Sequence, residues 1–221
     1  MAEPLHSWNL TPREAVDLQR RLAGLVECED RFGALKRIAG VDVSYNAASD
    51  RFAAAAIVLD PETLAPIEQA VVFGRPAFPY VPGLFSFREL PPALEALAQL
   101  KQRPDLVVCD GQGLAHPRRF GLACHLGVWT GLPVIGCAKT RLTGQHDEPG
   151  PSRGSEAALT DKGEVIGTVL RTRERVAPVY VSTGHRVSLA SACRIILQLA
   201  PRYRLPETTR LADRLVGEAL R

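Results

Sequence analysis

The order of strand-like and helix-like segments constrains the fold of this chain more than any other feature. Residues 38–44 and 52–59 each predict a strand, and residues 64–74 predict a third strand beyond a turn at 60–62. Consecutive strands joined by short turns are typical of an antiparallel meander. The first part of the sheet is therefore expected to pair strands that are neighbours in sequence.

A different order of elements follows this meander. Residues 106–109 predict a short buried strand, residues 120–130 a helix, and residues 133–138 another strand. Strand, helix and strand in succession are typical of parallel strands joined by crossover helices. The other predicted elements are a helix capped by Thr11, a helix over 86–100, strands over 165–170 and 179–182, a helix over 188–199, and a last helix from about Pro206.

Three local features refine these elements. Gly40, inside the first strand, indicates that another stretch of backbone approaches closely there. Pro91 and Pro92 are expected at a helix start or break, because proline cannot donate a backbone hydrogen bond. Residues 143–163 are rich in Gly, Pro and Ser and predict a long loop, which in a compact domain is usually functional or disordered.

These patterns predict one α/β domain over residues 1–221, with a mixed central sheet flanked by helices. The sheet combines an antiparallel meander with parallel strands. A hydrophobic fraction of 46% and a charged fraction of 23% are ordinary for globular proteins and exclude a largely disordered chain. The longest strongly apolar stretch, 53–59, is too short to cross a bilayer, and the N-terminus lacks the pattern of a signal peptide. We expect a cytoplasmic protein with no membrane partner.

The cysteines and the basic residues say less about function. None of the five cysteines forms a C-x-x-C pair, so the sequence indicates neither a zinc site nor a disulfide framework.

The net charge is only +3, but just four of the 27 basic residues are lysines. Arginine binds phosphate with a rigid planar fork, which favours a polyanionic partner. A GC-rich genome would produce the same excess of arginine, and both interpretations stay open.

Acidic residues stand where the sequence is otherwise apolar. Asp42 lies inside a strand-like run and Asp110 closes another, and a carboxylate in such a place costs free energy unless it is paired. Glu89 begins a predicted helix and Asp213 lies within the last one, where dipole compensation or a solvated helix face also explains them. Each acid alone is ordinary, but a cluster of carboxylates is typical of a Mg²⁺ or Mn²⁺ site.

Two loops could contact a ligand. Gly111 and Gly113 follow Asp110, at the end of a strand where open α/β sheets bind ligands, and glycines allow a close backbone approach. Tyr80 lies on a short loop stiffened by prolines, and an aromatic side chain held in this way can stack on a base or wedge into a duplex. A turn with a packed tyrosine is the alternative. The histidines have no metal-binding spacing, and each alone is expected to be structural.

Eight runs, in this order and spanning residues 40–214, most of the chain, resemble the endonuclease V family. They are GVDVSYN, PYVPGLFSFRE, DGQGLAHPRRFGLACHLG, PVIGCAKTRL, EPGPSRGS, GEVIGTVLRTR, STGHRVSL and RLPETTRLADR. The resemblance implies an RNase H-like fold and a DNA repair endonuclease. Such an enzyme hydrolyses the second phosphodiester bond 3′ to a deaminated base, above all hypoxanthine, and leaves 3′-hydroxyl and 5′-phosphate ends.

The resemblance also implies the chemistry of the site. Mg²⁺ would be the cofactor, with Mn²⁺ able to substitute, and the partner would be DNA containing deaminated bases. By motif match, the catalytic residues would be Asp42, Glu89, Asp110 and Lys139, the last beside the scissile phosphate. The three acids would bind the metal together with Asp213, at whose position family members carry either His or Asp.

The residues implied in substrate binding are Tyr80, Pro82, Gly83, Gly111, Gly113, His116 and Leu142. Among them, Tyr80 would belong to a wedge that separates the strands, and the glycines at 111 and 113 with Leu142 would help to form the base pocket. An inosine-specific ribonuclease and a non-catalytic binder of deaminated nucleic acid stay open as alternatives. Clustered acids argue against the binder, and nothing in the sequence indicates a protein partner.

Overall fold

The structure is a computed structural model that describes residues 5–46, 49 and 51–221. Its described part contains five helices, α1 (Pro12–Ala23), α2 (Phe85–Ala98), α3 (Leu122–Thr130), α4 (Leu189–Leu199) and α5 (Glu207–Ala219). The strands are β1 (Ile38–Asn46), β2 (Arg51–Leu59), β3 (Pro66–Gly74), β4 (Leu106–Cys109), β5 (Val134–Ala138), β6 (Glu156–Asp161), β7 (Glu164–Leu170) and β8 (Val179–His185).

All eight strands form one mixed sheet in the order β3-β2-β1-β4-β5-β8-β7-β6. The meander β1-β2-β3 is antiparallel, whereas β1, β4 and β5 are parallel neighbours. Strand β8 returns antiparallel beside β5, and β7 and β6 continue antiparallel to the edge. The predicted combination of a meander with parallel strands is confirmed, and the parallel part consists of these three central strands.

Both faces of the sheet are covered, which explains why β2 reads as an unbroken apolar run. Ala54, Ala56 and Val58 join the core formed with α2 and α3, while Ala53 and Ala55 pack with Val216 of α5 on the opposite face. A strand buried on both faces shows no alternation of polar and apolar residues. No helix in the described ranges is long and apolar enough to cross a membrane.

The prediction of a long loop over 143–163 was wrong for its last part. Residues 156–161 form β6, an edge strand that pairs antiparallel with β7. Among its six side chains only Leu159 is buried, since the strand lies at the rim of the sheet. An edge strand with one buried residue carries little of the hydrophobic pattern from which strands are predicted.

Helix α2 contradicts the expectation that Pro91 and Pro92 mark a helix start or break. The helix continues through both residues, which lie in the middle of its fourteen. Pro92 cannot donate to the carbonyl of Arg88, four residues earlier, and the hydroxyl of Tyr45 donates to that carbonyl instead, at 3.4 Å. A neighbouring strand thus compensates for part of what the prolines remove.

Gly40 has the close backbone neighbour that the sequence indicated. A Cβ atom at this position of β1 would run into the backbone carbonyl of Thr208, in the first turn of α5. The glycine therefore lets α5 lie directly on β1. Because β1 carries Asp42 and α5 carries Asp213, this contact also brings two of the predicted site residues toward each other.

The substitution Gly40→Ala tests this packing. The added methyl group meets backbone rather than a flexible side chain, so we expect a loss of about 1–3 kcal/mol in the free energy of unfolding. Urea denaturation followed by circular dichroism measures it. Gly33→Ala is the matched control, because a Cβ there has nothing within 4 Å. It should leave stability unchanged or slightly raised. Equal stability of Gly40→Ala and wild type would contradict the close approach.

Candidate active site

Three neighbouring parallel strands end beside one another and supply most of the charged groups of the site. Asp42 lies in β1, Asp110 directly follows β4, and Lys139 directly follows β5. The carboxyl ends of parallel strands lie at the same edge of a sheet, which is where open α/β sheets bind ligands. Glu89 reaches the same place from α2, and its side chain is buried.

A cavity of about 460 Å³ opens at this edge and has all four of these residues in its wall. Also in the wall, as predicted for substrate contacts, are Tyr80, Pro82, Gly83, Gly111, His116 and Leu142. Tyr80 and Leu142 are 69% and 50% exposed, so they stand at the rim of the cavity. Nearly all of the predicted site residues are thereby brought together.

Two predicted residues lie outside the wall of the cavity. The amide of Gly113 donates to the hydroxyl of Ser182, and a Cβ on this glycine would collide with the backbone of Thr183. Gly113 is thus packed against β8, behind the cavity. The side chain of Asp213 is 60% exposed, and its carboxylate lies 3.6 Å from Nζ of Lys139. It adjoins the site through that lysine.

Burial and neighbouring negative charges make Asp42 and Glu89 resist ionisation. Burial, and then the charges of Asp110 and Asp213, raise the pKa of Asp42 to about 7. Burial, followed by repulsion from Asp42 and Asp110, raises the pKa of Glu89 well above its ordinary value. Nearby like charges favour the protonated form of a carboxyl group, and a bound cation would reverse that preference. The site has more negative charge than its own residues compensate.

Lys139 supplies the nearest positive charge. Its Nζ lies 2.5 Å from Oδ2 of Asp110, in an ion pair whose carboxylate is only 13% exposed. Partial burial alone would lower the pKa of Lys139, but hydrogen bonding and attraction from Asp110, helped by Asp213 and Asp42, raise it. The lysine therefore stays charged. Its backbone carbonyl is held by Nη2 of Arg204, which also donates to Pro178.

The donor set fits a hard divalent cation in an open site. Carboxylate oxygens are the ligands that Mg²⁺ and Mn²⁺ prefer. In the described ranges no group of three or more His, Cys, Asp or Glu side chains is arranged so that it could hold a metal ion. Mg²⁺ usually keeps several waters and binds through one or two carboxylates together with substrate phosphates. The acids of the cavity suit that kind of site better than a closed structural one.

The carbonyl oxygen of Gly83 is the anchor of the loop that carries Tyr80. It accepts hydrogen bonds from Nε2 of Gln19 at 3.1 Å, Nη2 of Arg118 at 2.6 Å and Nε2 of His116 at 3.1 Å. Gly83 itself has a φ of +77°, a conformation that favours glycine. Three donors on one carbonyl fix the position of this loop at the rim of the cavity.

His116 is a neutral member of this group. Its Nε2 donates to the Gly83 carbonyl, and its Nδ1 accepts from the backbone amide of Arg118, which fixes one tautomer. Burial, and then the charge of Arg118, lower the pKa of His116 to about 4. The imidazole is therefore a fixed hydrogen-bonding group at neutral pH rather than a proton carrier.

Sequence reasoning missed several residues of the site. Gln19 lies in α1, is 1% exposed, and donates to the carbonyls of both Gly83 and Phe120. Gln112 forms part of the cavity wall and donates to the carbonyl of Thr140 at 2.9 Å. Ser86 belongs to the same wall. The only available signal for Gln19 was a polar residue beside the apolar Leu18 and Leu22, which is weak evidence by itself.

A mixed sheet of this order, with carboxylates and a lysine at the ends of its parallel strands, defines an RNase H-like nuclease. Comparison with known proteins gives the family. The sequence model of the Endonuclease V family matches residues 20–214. Endonuclease V of Azotobacter vinelandii is 54% identical over 214 residues, which are 97% of each chain. The chain belongs to the endonuclease V family.

Solved structures agree with this assignment. The crystal structure of endonuclease V from Streptomyces avermitilis superposes with a TM-score of 0.92 at 50% identity, covering 97% of this chain and 95% of that one. Endonuclease V of Ciona intestinalis was solved in complex with a 24mer DNA containing an inosine followed by a ribo-adenosine. It has a TM-score of 0.83 at 26% identity, covering 94% of this chain and 97% of that one. The predicted family, fold class and endonuclease function are confirmed.

The raised pKa of Asp42 predicts a gain in stability when this acid is neutralised. A folded-state pKa of about 7, against an ordinary 3.8, means that the stability contributed by the protonated form is lost as pH rises through that interval. In EDTA at pH 8, Asp42→Asn should therefore raise the free energy of unfolding by about 1–3 kcal/mol. Near pH 4 the difference should largely disappear. Urea denaturation at both pH values measures it.

Asp105→Asn is the control, because it should change the free energy of unfolding at pH 8 in the opposite direction. Burial works against ionisation of Asp105, but hydrogen bonds from the backbone of Lys36 and Arg37 outweigh it and lower the pKa. Its substitution should therefore destabilise the protein at pH 8. If Asp42→Asn were also destabilising at pH 8 in EDTA, that result would contradict the interpretation that the site carries uncompensated negative charge.

Proposed function

We propose that this protein is a Mg²⁺-dependent endonuclease that cuts DNA at the second phosphodiester bond 3′ to a deaminated base, above all hypoxanthine. The products carry 3′-hydroxyl and 5′-phosphate ends. The observation that supports this most is the placement of Asp42, Glu89 and Asp110 beside Lys139 in the wall of one open cavity. Clustered carboxylates next to a cation suit phosphodiester hydrolysis, and a simple binder of nucleic acid has no need of them.

Asp42, Glu89 and Asp110 would hold the metal, and Asp213 would assist from the exposed side of Lys139. When bound, Mg²⁺ supplies polarisation of the phosphoryl oxygen and a lowered pKa for water, and Mn²⁺ can supply the same chemistry. The acids themselves must be ionised to bind it. The raised pKa values of Asp42 and Glu89 mean that metal binding and loss of their protons are coupled, so affinity rises with pH in the neutral range.

Lys139 would act on the scissile phosphate. Its ammonium group already faces Asp110 at 2.5 Å, and a charge placed in advance costs no reorganisation when negative charge develops on the phosphoryl oxygens. If Asp110 held a cation, Lys139 would share that carboxylate with it and could turn to a phosphate oxygen instead. The Arg204 contact to the backbone carbonyl of Lys139 would hold the strand end in place.

Base recognition would occupy the part of the cavity beside the anchored loop. Tyr80 is exposed at the rim and can fill the gap that a flipped base leaves in a duplex. Pro82, Gly83, Gly111, Leu142 and neutral His116 would surround the base. Gly113 would support this pocket from behind, since it lies against β8. A mispaired deaminated base costs less to flip than a paired one, which contributes to selectivity.

DNA is the substrate we favour, because a relative of the same fold has been solved with DNA that contains inosine. RNA containing inosine remains the second candidate, and contacts to the 2′-hydroxyl decide between the two. All five cysteines are free, and four of them are buried. Unpaired thiols suit a reducing compartment, which supports a place in the cytoplasm.

The function is tested by cleavage of matched oligonucleotides. A duplex with one hypoxanthine should be nicked in the presence of Mg²⁺, and the same duplex with adenine at that position should stay intact.

Asp110→Asn should lower kcat by about a thousandfold or more, because several kcal/mol of metal-assisted stabilisation are lost. Asp147→Asn, at an exposed acid outside the cavity wall, is the control. Equal cutting of both duplexes, or full activity of Asp110→Asn, would refute the proposal. An RNA strand with inosine at the same position is measured alongside. If it is cut faster than the DNA, RNA is the preferred substrate.

Tyr80→Ala tests the wedge. Stacking of a base on an aromatic ring is worth about 1–3 kcal/mol, so the loss should be roughly tenfold to a hundredfold in kcat/KM on duplex DNA. In single-stranded DNA the base is already largely free, and the loss should be smaller. Tyr80→Phe should be mild because the ring fills the gap. Phe73→Ala is the control, because Phe73 is also an exposed aromatic residue, on β3, and lies outside the cavity wall.

Both substrates have to be measured at one salt concentration, since binding depends strongly on salt. Equal losses on duplex and single strand would show that Tyr80 contacts the base or supports the loop, and the wedge would be excluded.

A further inference from the structure

The segment before α1 packs an aromatic cluster against the nuclease core. The ring of His6 lies 4.6 Å from that of Trp8 and 5.0 Å from that of Trp129, measured between centroids. Phe87 of α2 belongs to the same cluster, at 6.1 Å from His6. Residues 5–10, which we call the N-terminal arm, therefore touch both α3 and the first turn of α2.

A chain of hydrogen bonds leads from this arm to the wall of the cavity. Nδ1 of His6 contacts the carbonyl of Ser7 at 2.8 Å, and its Nε2 contacts Nε2 of His125 at 2.7 Å. The other ring nitrogen of His125, Nδ1, lies 3.0 Å from the hydroxyl of Ser86. Ser86 is part of the cavity wall and precedes Glu89 by one helical turn.

The donor and acceptor of every hydrogen bond in this chain follow from the first bond, between His6 and the carbonyl of Ser7. A carbonyl only accepts, so Nδ1 of His6 must donate to Ser7, and in a neutral ring Nε2 of His6 is then an acceptor. Nε2 of His125 has to donate to it, which leaves Nδ1 of His125 without a proton. The hydroxyl of Ser86 must donate to that nitrogen.

Both imidazoles have surroundings that keep them neutral. His125 is completely buried, and burial followed by the nearness of His6 lowers its pKa well below the ordinary value. Burial is also the main cause of the lowered pKa of His6, although the Ser7 carbonyl works in the other direction. The chain therefore has one consistent arrangement of protons at neutral pH, and it fixes where the hydroxyl proton of Ser86 points.

We propose that the N-terminal arm positions the active site: His6, acting through His125, commits the Ser86 hydroxyl proton to the protein interior. Ser86 is left as a pure hydrogen-bond acceptor toward the cavity, suited to an N–H or O–H group of the bound nucleotide. The same bonds hold the first turn of α2, from which Glu89 extends. His6 and His125 are positioning residues, and Ser86 is the group that meets the substrate. The substrate part of this inference rests on the proposed function, but the arrangement of protons does not.

Nitrogen-15 NMR of histidine-labelled, metal-free protein tests the proton arrangement without any substrate. We expect the Nδ1–H tautomer for His6 and the Nε2–H tautomer for His125, assigned by comparison with His6→Phe. In that variant the aromatic packing is kept and the acceptor for His125 is removed. An Nδ1–H tautomer of His125 in the wild type would overturn the inference, because Ser86 would then be the acceptor of the bond.

Kinetics test what the chain does for catalysis. His6→Phe should lower kcat on hypoxanthine-containing DNA about threefold to tenfold, the range expected for one misplaced hydrogen bond. His6→Gln, whose side-chain oxygen can accept from His125, should recover most of the loss. The control is His146→Phe, since His146 pairs with Tyr180 outside the cavity wall. It should keep the wild-type rate.

A double-mutant comparison separates positioning from general destabilisation. If His6 acts through Ser86, then His6→Phe combined with Ser86→Ala should be no slower than Ser86→Ala alone. Additive losses, wild-type kcat in His6→Phe, or failure of His6→Gln to recover activity would each overturn the positioning role. If the wild type cuts no deaminated DNA, the proposed function fails. The tautomers of His6 and His125 still decide whether the chain of hydrogen bonds has the proposed arrangement of protons.

Discussion

Negative charge crowded at one edge of the sheet is the constraint on which the rest of the structure depends. Asp42 and Glu89 are both buried strongly enough to raise their pKa values, and each is within the field of Asp110. Lys139 compensates only part of this charge through its ion pair with Asp110. The parallel strands and α2 place Asp42, Glu89 and Asp110 in the wall of one cavity. The fold thus carries an electrostatic cost that a bound cation would relieve, which is a common relation between stability and function.

Two of the surrounding segments, the loop that carries Tyr80 and the loop at 148–155, are held by many hydrogen bonds. The carbonyl of Gly83 has three donors, and Arg171, buried beside the loop at 148–155, donates to the carbonyls of Gly150, Pro149 and Val176 and to the carboxylate of Glu148. Loops fixed in this way can hold their exposed side chains at constant positions. An active site needs such rigid support when its rate depends on the exact positions of the side chains that contact the substrate.

The sequence predicted the features that depend on strong local patterns. Acids placed in apolar strands led to Asp42 and Asp110, and a glycine inside a strand led to the close approach at Gly40. What it could not predict depends on contacts between distant residues. Gln19 meets Gly83 across 64 positions and His6 meets His125 across 119, and no local pattern marks either pair.

Missed elements have a similar cause. Strand β6 was missed because only Leu159 is buried in it. Helix α2 continues through Pro91 and Pro92, and the Tyr45 hydroxyl replaces one of the hydrogen bonds that these prolines remove. Local propensity is a weak guide where the remainder of the molecule provides the missing partner. The individual roles of the site residues came from the resemblance to a family, and those roles remain predictions.

The contact between Gly40 and α5 also has a consequence for how the chain folds. Strand β1 and helix α5 are separated by most of the sequence, so their contact closes a very long loop, whose entropy must be lost before the contact forms. Until α5 is in place, one face of β1 and of the alanine-rich β2 remains uncovered. A growing chain therefore cannot complete the acidic edge of its sheet early. An enzyme that cuts nucleic acid becomes competent only when nearly all of it has been made.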